Sequence, residues 1–124
     1  DGQCAQQRGQ LRALSHNGRV ARMVACTAAR RAGVNEDDVE DVRLAVGEAV
    51  GRAVLRHQAA GCEDPVTVEL TEDAGGFEAV IIARAEQGEQ DEDFAYAVIT
   101  GLVSGAQLAA EPGGGQRLVL RWAV

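Results

Sequence analysis

Between Asp38 and His57 the chain reads DVEDVRLAVGEAVGRAVLRH, and this stretch leaves little choice of local structure. Val42, Ala45, Val46, Ala49, Val50, Ala53 and Val54 recur at intervals of three and four, the period of one helix face. Asn35 is placed to cap the start. Glu36, Asp37 and Asp38 fill the first turn, where carboxylates are favoured by the helix dipole. Most residues of the stripe are small or β-branched, which suits close packing on a sheet better than an independent helix. Whatever this chain folds into must offer that helix a broad apolar surface.

The neighbouring segments supply one. Asn17 to Ala32 reads as a preceding helix, with Val20, Met23, Val24, Thr27 and Ala28 at helical spacing and Gly33 as its terminator. Gly9 to Leu14 reads as a short strand before it. Val66 to Leu70 alternates, and Phe77 to Ala83 is a continuous apolar run. The turn from Glu72 to Gly76 joins the two as a β-hairpin. Phe94 to Val103 predicts a third helix, with Ile99, Leu102 and Val103 buried. Ala106 to Ala110 and Arg117 to Val124 predict a second hairpin, closed by Glu111-Pro112-Gly113-Gly114-Gly115. The order β-α-α-β-β-α-β-β predicts an α/β (α+β) two-layer sandwich. Its sheet is expected to be mixed, mainly antiparallel, and covered on one face by about three helices.

Length and charge narrow the function classes. At 124 residues the chain is expected to form one domain spanning positions 1–124, with 1–8 as a disordered tail. It starts at Asp1 without a methionine, so it is expected to be trimmed. Aromatic residues make up only 3% against a hydrophobic fraction of 46%, so the core is aliphatic. All 12 basic residues are arginine, which excludes mechanisms that need a lysine nucleophile or a P-loop lysine. The net charge of -7 argues against direct nucleic-acid binding and permits a basic protein partner. The helix expected over Asn17 to Ala32 is the most basic region, through Arg19, Arg22, Arg30 and Arg31. Cys4, Cys26 and Cys62 have no metal-ligand spacing, so reduced thiols and no metal site are expected. No membrane span and no signal-peptide pattern is present, and a cytoplasmic location is expected.

The segment VRLAVGEAVGRAVLRH resembles the N-box helix of the GHKL ATPase superfamily. Within that superfamily the chain is most similar to the small bacterial anti-sigma factors that are also serine-protein kinases. The resemblance runs from about Leu11 to Val124, because the order of elements and the ending PGGGQRLVLRW also fit. It implies a fold that holds ATP between the helix layer and a lid loop. It also implies two protein partners, a sigma factor and an anti-sigma antagonist whose serine is phosphorylated. In this family dimerisation uses the first-strand region, so a homodimer is implied.

Carried over residue by residue, the resemblance places Glu48 at the N-box glutamate that acts as general base. Arg52 stands where the family has a magnesium-ligating asparagine. A guanidinium has no acceptor atom, so it cannot ligate a cation, but it can pair with Glu48 one turn away or meet a phosphate. Glu86 and Gly88 fall on the adenine-reading D-x-G-x-G motif, with Gln90 in place of its second glycine. Phe94-Ala95-Tyr96-Ala97 replaces the second glycine box. Gly115-Gln116 lies on the last box, where the hydroxyl becomes an amide. Gly113, Gly114 and Gly115 read either as a phosphate cradle or as a hairpin turn. His57 reads as decorating a helix end, and His16 as a surface residue.

These departures predict an anti-sigma-like protein that works by protein contact and takes no cofactor. The alternative is an active serine-protein kinase using ATP and magnesium. A third reading turns Arg52 into the former nucleotide pocket to hold another small anion.

Overall fold

The computed structural model describes residues 10–15, 18–73, 75–84, 103, 105–110 and 114–123. Five strands and two helices follow in the order β1 (Gln10–Ser15), α1 (Gly18–Arg31), α2 (Glu36–Ala59), β2 (Val66–Asp73), β3 (Gly76–Ala83), β4 (Gly105–Ala110) and β5 (Gln116–Ala123). The strands form one sheet in the order β1-β2-β3-β5-β4. Every pairing among them is antiparallel. The expected two-layer α+β sandwich is therefore present, and its described strands include no parallel pair. The third helix expected over Phe94–Val103 and the tail at 1–8 lie outside the described residues, apart from Val103, which packs against the core.

Local chemistry explains the boundaries. Asn35 caps α2, its side chain accepting the Asp38 N–H at 3.0 Å. Arg30 and Arg31 close α1 where the helix dipole favours cations. Gly33 then takes a φ of 94°, a left-handed turn that lets Val34 bond back to the Ala29 carbonyl. The first hairpin pairs Asp73 with Gly76, and Asp73 also accepts the Gly75 N–H at 3.0 Å.

Both helices pack on one face of the sheet. Val42, Ala45, Val46, Ala49, Val50 and Ala53 of α2 are buried, as the periodicity predicted. They join Val66, Val68 and Leu70 of β2, Phe77, Ala79, Ile81 and Ala83 of β3, and Leu120 and Trp122 of β5. Phe77 and Trp122 are cross-strand partners with ring centroids 6.0 Å apart.

Helix α1 departs from the reading of its sequence. Its buried residues are Ala21, Ala25, Cys26 and Ala29, whereas Val20 is 46% and Met23 62% exposed. The small side chains face the core because α1 lies close to α2. At the crossing, a Cβ on Gly47 would stand 2.6 Å from Arg22 Cδ. Bulkier residues on that face would push the helices apart.

Candidate functional site

Glu48 and Arg52 sit one turn apart on α2, and the helix geometry brings them together. Arg52 Nε donates to Glu48 Oε2 at 2.9 Å. Their side chains are 29% (Arg52) and 38% (Glu48) exposed, so solvent reaches both. A pair of this kind contributes only about 0.3–0.5 kcal/mol to stability. Its chemical effect is larger. It sets a permanent cation on the carboxylate that the N-box resemblance assigns to base catalysis. It also occupies the asparagine position with a group that offers no lone pair to a metal. Among the described residues no group of three or more His, Cys, Asp or Glu side chains is arranged to hold a metal ion. Arg52 itself therefore does not fit the role of a magnesium ligand.

A second cluster forms where α2, β3 and β5 end or begin. His57, in the last turn of α2, is only 3% exposed. Its Nε2 accepts the Arg84 N–H at 2.9 Å, and its Nδ1 lies 2.7 Å from the Asp64 carbonyl oxygen. A backbone N–H can only donate and a carbonyl can only accept. The two bonds thus assign the neutral tautomer with hydrogen on Nδ1. His57 is not helix-end decoration. It is a buried clip joining α2 to the loop before β2 and to the residue following β3. The signal was present in the spacing, since 50, 53 and 57 continue the apolar stripe.

Gly114 and Gly115 both have left-handed φ values, 108° and 98°. Gly114 has open space around it. At Gly115 a Cβ would stand 2.1 Å from the Ala83 carbonyl oxygen and 2.7 Å from Arg84 Cα. Gly115 is therefore required by the approach of two strands, whether or not an anion ever visits the loop. Gln116 follows, paired with Ala83, and its buried Oε1 has no hydrogen-bond partner. As oriented, that atom asks for a donor, which a fully ionised phosphate does not supply. Glu86, Gly88 and Gly113 lie outside the described residues, as do Gln90, the Phe94–Ala97 segment and His16. Of the sequence-derived site, the structure joins Glu48 to Arg52 and sets Gly115 and Gln116 against the end of β3.

Among the described residues, two helices on one face of a five-stranded antiparallel sheet form an α+β sandwich consistent with the GHKL ATPase type. The chain belongs to the family of the histidine kinase-like ATPase domain, whose family model matches residues 11–122. No curated protein matches it significantly. No helix among the described residues is long and apolar enough to cross a membrane.

Proposed function

We propose that this chain is an anti-sigma-factor-like regulator of bacterial transcription that acts by binding proteins and performs no magnesium-ATP chemistry. Its partners are a sigma factor, an anti-sigma antagonist, or both in exchange, and it works in the cytoplasm, where such partners reside. The observation that carries this reading is the Arg52–Glu48 pair. A guanidinium at the metal-ligand position repels magnesium and engages the general-base carboxylate. The second support is Gly115, whose lack of a side chain is explained by strand packing alone.

Calorimetric titration with ATP and magnesium tests it, with native protein and an Arg52→Asn variant run side by side. The expected outcome is no binding by native protein, and binding recovered in the variant if Arg52 is the sole block. Native binding at micromolar affinity would overturn the reading and make the serine-protein kinase the working function. Co-purification with the sigma factors and antagonists of the same genome, unaffected by ATP, checks the partner half.

A further inference from the structure

Helix α1 turns Met23 and Val20 away from the core, while Val24 packs partly against it. Met23 and Val20 are 62% and 46% exposed, while the buried face of the same helix is made of alanines and a cysteine. Thr27 continues the outward stripe one turn beyond Met23. Its hydroxyl donates to the Met23 carbonyl at 3.0 Å, which ties the polar atom to the helix and leaves the methyl outermost. Val20, Met23 and Thr27 together cover about 10 Å of helix length.

The charges that α1 itself contributes beside this stripe are of one sign. Helix α1 carries arginine at 19, 22, 30 and 31 and no carboxylate, in a chain whose net charge is -7. Arg30 already engages a carboxylate, Glu36, at 3.1 Å. Arg31 is exposed and has no carboxylate partner among the described residues. An apolar stripe edged by guanidinium groups is complementary to an apolar stripe edged by carboxylates.

We propose that the outward face of α1, with Val20, Met23 and the Thr27 methyl at its centre and Arg19, Arg30 and Arg31 on its border, docks an acidic amphipathic helix of a protein partner. An anionic membrane is the rival occupant, and two features disfavour it. Two exposed apolar side chains give little insertion into a bilayer. The rest of the chain is more acidic than the whole, so an anionic surface repels it. The inference rests on the protein-binding reading, yet the two fail separately. ATP binding would remove that reading, whereas the face is tested without nucleotide.

The test is fluorescence anisotropy with a dye-labelled helical peptide of Glu, Leu and Ala, its leucines on one face. A scrambled peptide of the same composition is the control. The helical peptide is expected to bind saturably, and about tenfold more weakly to Met23→Glu and to Arg31→Glu protein. Both side chains are exposed, so thermal melts of the variants should match the native melt. Absence of peptide binding overturns the proposal, as does equal binding of the scrambled peptide or unchanged affinity in both variants. Sedimentation with phosphatidylcholine–phosphatidylserine vesicles that is lost in Met23→Glu would assign the face to a membrane instead. A native dimer lost in Met23→Glu without peptide binding would assign it to a second copy. Either result overturns the acidic-helix partner.

Discussion

Glycine means three different things at three positions of this chain. At Gly115 an added Cβ would enter the backbone of β3, 2.1 Å from a carbonyl oxygen, at a φ of 98°. At Gly47 it would meet the stem of Arg22, Cδ at 2.6 Å and Cγ at 3.0 Å, so the arginine would have to shift. At Gly51 it would meet nothing within 4 Å. Gly115→Ala is therefore expected to cost about 2–4 kcal/mol, from left-handed strain and overpacking together. Gly51→Ala, mid-helix and unobstructed, is expected to stabilise by about 0.5–1 kcal/mol. Urea unfolding of the two variants beside the native protein measures both. A destabilised Gly51→Ala would mean that this face of α2 is covered in solution.

At the scale of elements, the β2–β3 hairpin is fastened to β5 by a carboxylate. Asp73 accepts the Gly75 N–H, and it also takes Arg121 Nη2 at 2.9 and 3.0 Å on its two oxygens. The Gly75 bond first and Arg121 second hold its carboxyl below the ordinary value of 3.8. A carboxyl depressed in the folded state stabilises the fold above its unfolded value, and that contribution disappears as pH falls through the folded one. Asp73→Asn should accordingly be less stable than native protein at neutral pH. The gap should narrow as the pH is taken below the ordinary carboxylate range. Denaturant midpoints at neutral and acid pH check it, and a gap independent of pH would remove Asp73 from the account.

Elements were also where the sequence was most legible. The cap at Asn35, the stripe of α2, and the β2–β3 and β4–β5 pairings follow from periodicity and turn residues, although Glu72, Asp73 and Gly76, expected in the first turn, extend the strands. The orientation of α1 was not legible. Of the residues at helical spacing, Val20 and Met23 face outward and Val24 and Ala28 pack partly against the core, while the fully buried face is Ala21, Ala25, Cys26 and Ala29. Of the candidate site, the Glu48–Arg52 contact was readable, since four residues on a helix always make neighbours. The tie of His57 to Arg84 spans 27 positions and depends on how α2 and β3 meet, which no local pattern encodes. The requirement at Gly115 is likewise a property of two strands, not of its own turn.

Across the whole molecule, the two described cysteines report on different depths. Cys26 lies in the core between α1 and α2, with its thiol directed at the Val39 carbonyl 3.9 Å away. Burial pushes that thiol above its ordinary value of 9.0, against a smaller opposing effect from Arg30. Cys62, beyond the end of α2, is partly exposed. Iodoacetamide at neutral pH is expected to alkylate Cys62 well before Cys26, because reaction needs both access and thiolate. Mass spectrometry of the digested protein gives the order. Early labelling of Cys26 would mean that the two helices separate readily.

The His57 clip has a mechanical consequence. A side chain bonded at both ring nitrogens acts as a rivet between the last turn of α2 and the backbone just past β3. The chain that continues after Arg84 thus departs from a pivot whose position is set by the helix carrying Glu48 and Arg52. A displacement of α2 would therefore pull on the Asp64 carbonyl and the Arg84 N–H together, so the helix layer and the end of β3 move as one.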